Sequence, residues 1–199
     1  MIPYTLVLIV VCFALLILEQ FIPPLAFLHD ARVLLVPIVL FYSALALPYG
    51  LMLIIALAAG LMTDAIAAQV FDVRLDGGQI TQTVEIALGW SIILYAVLGS
   101  VMSGFRPLFK RGRWEIHCLM SGILVALIVL AQFLMISVRR AALDGTAFVY
   151  TQEIGWRIAG AGVVALILAP ILFWGLSTLA AFVGYNPRKP DTEEEPENV

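Results

Sequence analysis

The sequence predicts an all-α fold, an integral membrane bundle of six transmembrane helices. Hydrophobic residues make up 62% of the 199-residue chain and charged residues only 13%, whereas a soluble domain carries about 25% charged residues. The apolar stretches are unbroken and rich in Leu, Ala and Ile. A helix needs about 20 such residues to cross a bilayer, while the strands of a membrane β-barrel would be short and alternating. Most of the protein surface is therefore expected to face lipid.

Proline, glycine and charged residues divide the apolar sequence into six segments. Pro23 and Pro24 prevent the first segment from continuing, a tight turn at 48–50 joins the second to the third, and Pro170 predicts a kink in the sixth. The first segment lacks the basic start of a cleavable signal, so it is expected to remain as a helix. The predicted spans cover about residues 2–18, 32–47, 51–68, 86–105, 116–138 and 157–183.

These spans define a transmembrane domain over residues 1–184, followed by an acidic tail over residues 185–199. The tail is rich in proline and glutamate and has no apolar face, so it is predicted to be disordered. Basic residues in short loops set the orientation of membrane proteins. The densest basic cluster, at 106–113, lies at the same predicted end as both termini, and this places both termini in the cytoplasm. This end holds one more lysine or arginine than the opposite end.

Asp64 is the most informative single residue, because an acid inside a membrane segment is costly and marks a functional site by default. Ala56, Gly60 and Asp64 are spaced at i, i+4 and i+8 and therefore share one helix face. Small residues at this spacing let another helix approach closely. Two interpretations stay open: the face brings Asp64 to a partner helix or cavity, or it packs within this chain and Asp64 anchors a helix end.

The connector after the fourth span is basic and aromatic, with Arg106, Lys110, Arg111 and Arg113. On the cytoplasmic side, each basic residue near the surface attracts anionic lipid by about 1 kcal/mol. We expect a lipid-facing connector, and docking to a cytoplasmic protein is the alternative. The segment is too short and too close to the membrane to favour nucleic acid.

Motifs of enzymes are absent from the sequence. His29 and His117 lie near span ends on opposite predicted sides, and there is no GxSxG, no HExxH and no pair of acids in mid-span. Cys12 and Cys118 show no metal or disulfide spacing and are interpreted as small buried hydrophobes. The chain is therefore predicted to be no enzyme and to bind no metal or cofactor.

Residues 33–109 resemble MreD, the rod-shape-determining membrane protein family of bacteria. The resemblance is carried by the hairpin around Pro48-Tyr49-Gly50, by Gly60-Leu61-Met62-Thr63-Asp64, which is similar to the G-L-L-x-D segment of that family, and by the basic connector at 106–113. Six spans and a proline in the last span extend it over about residues 1–184. Gly60 and Asp64 are the positions that the resemblance carries over as motif residues.

The resemblance implies a non-catalytic scaffold subunit of the elongasome, the cell-wall elongation machinery, in the bacterial inner membrane. The implied partners are a single-span MreC-like protein, a RodA-type glycosyltransferase, a class B penicillin-binding protein and MreB. The fold of the family looks related to the substrate-binding (S-component-like) subunits of energy-coupling-factor vitamin transporters, and such a subunit is the alternative function. Those subunits resemble one another in an Ala-x-x-x-Ala motif on the first helix, where this chain has bulky residues and only Ala14.

Overall fold

The computed structural model describes residues 2–28, 31–69, 75–76, 79–80, 89–106, 114–144 and 152–185. Six helices run through this part of the chain, together with a 3-10 turn at Ala26–Leu28 and two short antiparallel strands, Leu75–Asp76 and Gln79–Ile80. The helices are α1 (Ile2–Phe21), α2 (Val36–Ala46), α3 (Tyr49–Gln69), α4 (Trp90–Gly104), α5 (Trp114–Asp144) and α6 (Gln152–Phe182).

The predicted helical membrane bundle is confirmed, with one helix in each of the six predicted segments. Four of the described helices, α1, α3, α5 and α6, are long and apolar enough to cross a membrane. The other two are shorter than predicted: α2 has 11 residues and α4 has 15. At 1.5 Å per residue they measure roughly 16 and 22 Å, against about 30 Å for the hydrocarbon core.

Proline explains the late start of α2. The sequence predicts a span from residue 32, but the helix begins at Val36 and has Pro37 in its first turn. Proline lacks the N–H group that a mid-helix position requires and suits the first turn, where that group has no partner in the helix. The residues before it, 32–35, are not helical. The predicted start of the fourth span, at 86–88, lies outside the described residues.

Helix α2 lies at the centre of the bundle. Every residue from Val36 to Ala44 is buried, and the helix contacts all five other helices. Its sequence is apolar on all sides, which is the pattern of a helix surrounded by protein. The rest of the bundle therefore packs around α2.

Two closely packed helix pairs, α3–α4 and α5–α6, flank the central helix. Glycine sets the distance between the helices of the second pair. A Cβ atom at Gly122 would lie 2.9 Å from the carbonyl oxygen of Gly162, and one at Gly162 would lie 3.1 Å from that of Gly122. The two pairs contact each other less than either contacts α2, so α2 provides most of the connection between them.

The connector between α1 and α2 folds back onto α6. Leu25 and Ala31 form an isolated antiparallel bridge, and a Cβ atom at Gly160 of α6 would lie 3.0 Å from the Cβ of Ala31. Val33 and Leu35 join Val164 of α6 in one apolar cluster. The non-helical connector is thus part of the packed bundle.

Both ends of the described chain lie at the same end of the bundle. The rings of Tyr4 and Tyr185 stack with their centroids 4.7 Å apart. The Tyr4 hydroxyl lies 3.3 Å from the Tyr42 hydroxyl and 3.3 Å from the Leu176 carbonyl oxygen, to either of which it donates. Tyr185, the first residue of the predicted tail, therefore packs against the bundle, while residues 186–199 lie outside the described part.

Replacing Gly122 by alanine is expected to loosen the α5–α6 hairpin. The new Cβ would meet backbone at 2.9 Å, which cannot move aside cheaply, and overpacking of this kind costs about 1–3 kcal/mol. The measurement is the thermal unfolding midpoint in detergent. Gly175→Ala is the matched control, since a Cβ there meets nothing within 4 Å. Equal midpoints for the two variants would contradict the close contact.

Candidate functional site

Asp64 holds the start of α4. The residue lies on α3, is 3% exposed, and its carboxylate accepts two backbone hydrogen bonds. Oδ2 accepts from the N–H of Gly89 at 2.6 Å, and Oδ1 accepts from the N–H of Ser91 at 3.3 Å. The first N–H groups of a helix have no partner inside that helix. A carboxylate from α3 therefore supplies the cap that α4 lacks in its own sequence.

Glycine is required where the capped chain turns into α4. Gly89, the residue before the helix, has a φ angle of +95°, in a region that residues with a Cβ rarely adopt. This backbone conformation precedes the first turn of α4, whose N–H groups Asp64 reaches. The short carboxylate and the glycine thus act together at one helix start.

Gly60 brings the two helices close enough for this contact. A Cβ atom at Gly60 would lie 2.5 Å from the Cα and 2.7 Å from the backbone nitrogen of Ile92. Ala56, one turn earlier, is fully buried in the cluster that holds Tyr95 of α4. The face of Ala56, Gly60 and Asp64 that the sequence predicts therefore exists, and in this structure it meets α4 of the same chain.

Glu19 caps the start of α2, as Asp64 caps the start of α4. It lies near the end of α1, and its Oε1 atom accepts hydrogen bonds from the N–H groups of Leu35 and Val36, the latter at 2.7 Å. This contact of Glu19 is not predicted from the sequence. The available signal was an acid near the end of an apolar helix, which is also the position of Asp64 in α3. A negative charge at a helix N-terminus is favourable because it complements the helix dipole.

A buried tyrosine lies near both carboxylates. Tyr95 of α4 is 2% exposed, its hydroxyl is hydrogen-bonded with Thr63, and it lies within electrostatic range of the Glu19 and Asp64 side chains. The Thr63 hydroxyl donates to the Ala59 carbonyl oxygen at 2.8 Å. A polar layer thus crosses the bundle at the level where α2 and α4 begin.

The opposite end of α2 is capped by a cation and a hydroxyl. Arg106 Nε donates to the Ala44 carbonyl oxygen at 2.8 Å, and the Tyr185 hydroxyl donates to that of Ala46 at 2.7 Å. A positive charge suits a helix C-terminus for the same reason that an acid suits the start. Both ends of the central helix are therefore satisfied by side chains from other segments.

Arg106 reaches the end of α2. The sequence places it in a predicted lipid-facing connector, which stays a prediction, and its Nε atom donates to the carbonyl oxygen of Ala44 at the end of a helix, where carbonyl groups have no partner inside the helix. Its Nη2 atom is buried and has no hydrogen-bond partner in the part of the chain that the structure describes. The other connector residues, Lys110, Arg111 and Arg113, lie outside the described residues.

The geometry is suited to holding helices in place. No group of three or more His, Cys, Asp or Glu side chains that could hold a metal ion occurs among the described residues. The carboxylates of Glu19 and Asp64 accept from backbone N–H groups, and the connector arginine donates to a backbone carbonyl. These side chains form hydrogen bonds with backbone N–H and C=O groups at helix ends, which would otherwise have no partner in an apolar environment.

Comparisons with known proteins give no match: no family model, no curated protein and no solved structure matches the chain. The structure gives physical roles to the residues of segments 48–50 and 60–64. The first segment begins α3 directly after α2, and Gly60 and Asp64 in the second fix α3 to α4.

Replacing Asp64 by alanine is expected to free the start of α4. Two N–H groups would lose their acceptor, which costs about 1–3 kcal/mol for buried groups, and Asp64→Asn should cost less because the amide retains an acceptor oxygen. Hydrogen exchange of the Gly89 and Ser91 amides, followed by mass spectrometry, measures the effect.

Glu19→Ala provides the matched control for this experiment. It should speed exchange of the Leu35 and Val36 amides and leave those of Gly89 and Ser91 unchanged, because each carboxylate serves its own helix. If Asp64→Ala leaves exchange at the start of α4 as slow as in the unaltered protein, the capping role is refuted.

Proposed function

We propose that the protein is a non-catalytic membrane scaffold subunit of the bacterial cell-wall elongation machinery, which binds an MreC-like protein and helps to maintain rod shape. One observation carries the proposal. Gly60 and Asp64, the residues that carry the resemblance to MreD, have packing roles: Gly60 permits a backbone contact and Asp64 caps α4. A motif that fixes helix positions suits a protein whose task is to present a defined surface.

The use of the interior polar groups supports the same proposal. Glu19, Asp64, Arg106 and Tyr185 all bond to backbone groups at helix ends. Catalysis or solute binding requires polar groups directed at a ligand. Side chains that are already engaged at helix ends favour a structural task for this bundle.

The outer surface offers bulky apolar side chains for contact within the membrane. Helices in lipid associate mainly by packing of their surfaces, so a scaffold needs exposed apolar faces of this kind. The most exposed large apolar residues of α1 and α6 are Ile2, Leu6, Val10, Phe21, Ile167, Ile171, Trp174 and Phe182. An MreC-like single-span helix is the proposed partner in the membrane, and a RodA-type glycosyltransferase, a class B penicillin-binding protein and MreB are further proposed partners.

We assign the protein to the bacterial inner membrane as a multi-pass protein with both termini in the cytoplasm. Two observations support this orientation. The stacked rings of Tyr4 and Tyr185 bring both chain ends to one end of the bundle, and Arg106, which begins the densest basic cluster of the sequence, lies at that end beside Tyr185. Basic residues in short loops favour the cytoplasmic side, where Lys110, Arg111 and Arg113 would contact anionic lipid.

A substrate-binding subunit of an energy-coupling-factor vitamin transporter is the second candidate. The observation that favours it is the pair of short helices, α2 and α4, each of which begins against a carboxylate from the preceding helix. Transporters place binding sites where interrupted helices begin or end inside the membrane. Against it, α1 has no Ala-x-x-x-Ala motif.

A pull-down of the tagged protein from its own membranes in mild detergent, with mass spectrometry of the bound proteins, is expected to recover a single-span MreC-like protein or wall synthases. A charged substitution at an exposed position of the contacting helix, such as Trp174→Glu or Val10→Glu, should then remove that partner without unfolding the bundle.

Recovery of an ATPase with its coupling subunit would instead favour the transporter function. Recovery of neither, from membranes in which MreC-like proteins and wall synthases are present, would contradict the scaffold proposal.

A further inference from the structure

Contacts at both ends fix the length of helix α4. At its start, Gly89 breaks the helix with a φ angle of +95°, and its N–H group donates to the carboxylate of Asp64 at 2.6 Å. At its end, Arg106 follows the last turn and is bound to the end of α2 through Nε. The helix has 15 residues and therefore measures roughly 22 Å.

The outer surface of the α3–α4 pair is apolar over a short distance. On α4, the exposed large apolar side chains of the described chain extend from Ile93 to Phe105, and on α3 they extend from Tyr49 to Leu61. These two stretches form what we call the α3–α4 face. Each of them covers roughly 18 Å along its helix.

Helix α5 exposes a much longer apolar surface on the other side of α2. Its exposed large apolar side chains extend from Ile116 to Val138, which corresponds to roughly 33 Å. The hydrocarbon core of a bilayer is about 30 Å thick, so α5 crosses it completely, while the α3–α4 face is shorter than the core by roughly 8–12 Å.

Charged residues at the two ends of α4 oppose a bilayer of full thickness on this side. Arg106 is partly exposed, and a charged side chain drawn into hydrocarbon is costly. Asp64 is bound to the backbone at the other end, so the start of α4 cannot move outward without loss of its cap. An apolar surface shorter than the core is accommodated when the bilayer next to it becomes thinner.

We propose that the α3–α4 face thins the bilayer beside it and binds lipids with short acyl chains in preference to lipids with long ones. The occupant of the face is lipid, because the face is apolar along its length and its length matches short chains. The α5 side of the bundle keeps a bilayer of full thickness, so the protein lies at a step in membrane thickness. This inference does not depend on the scaffold function.

The test compares lipid binding at the two sides of the full-length protein in phosphatidylcholine vesicles. A fluorophore is attached to Val97→Cys, in the middle of α4, or to Leu127→Cys, in the middle of α5. Both positions are exposed, whereas the native Cys12 and Cys118 are buried. Phosphatidylcholine with a nitroxide group quenches the fluorophore, and dimyristoleoyl (short-chain) or dioleoyl (long-chain) phosphatidylcholine displaces the quencher.

At Val97, the short-chain lipid is expected to displace the quencher about threefold better than the long-chain lipid, because it reduces the mismatch in thickness. At Leu127, the matched control, the short-chain lipid should have no such advantage. Leu57→Cys on α3 and Ile123→Cys on α5, which are also exposed positions, repeat the comparison. They keep the test decisive if one of the first variants misfolds.

Two results would overturn the proposal. One is a preference for chain length at Val97 that equals the preference at Leu127, since the bilayer would then have the same thickness on both sides. The other is weak quenching at Val97 by every lipid mixture, which would mean that a second copy of the chain, and not lipid, covers the α3–α4 face.

Discussion

The unpaired backbone groups at the two ends of the short central helix α2 determine which side chains the surrounding segments must supply. A helix leaves several N–H groups unpaired at its start and several C=O groups unpaired at its end, and inside a membrane no water is present to pair them. Helix α2 is buried from Val36 to Ala44, so its partners must come from protein. Glu19 serves the start, and Arg106 and Tyr185 serve the end. Each charge has the sign that the helix dipole favours.

The same constraint at α4 explains why α3 carries a glycine. An aspartate side chain is short, so Asp64 reaches the N–H groups of Gly89 and Ser91 only if the two backbones are close. Gly60 permits that approach, with no room for a Cβ against Ile92. Helix α1 contains no glycine, and the residue that it contributes to cap the start of α2, Glu19, has a longer side chain than aspartate. In the α3–α4 pair, the short capping side chain and the close approach of the two backbones are therefore matched.

Local patterns in the sequence predicted the helices and the shared face of Ala56, Gly60 and Asp64. Apolar stretches and spacings of four residues involve only a few neighbouring positions, so they can be recognised without knowing how the helices pack. They did not predict which groups the charged residues meet. Glu19 bonds 16 and 17 residues away, and Arg106 bonds 62 residues away. Such pairs depend on how helices pack, so the sequence alone does not reveal that Arg106 contacts the end of α2. The shortened start of α2 had a local signal, Pro37, which fixes the first turn.

The distribution of polar contacts also bears on how a scaffold would bind. Side-chain bonds tie α1 to α2, α3 to α4, and the chain after α4 and α6 back to α2. These bonds fix helix positions that apolar packing alone leaves free to slide. A partner helix that docks on a surface already fixed loses only its own freedom, and prior ordering of this kind lowers the entropic cost of association. If the protein is a scaffold, as proposed, side chains bonded to helix ends would support partner binding by keeping the outer surface in one arrangement.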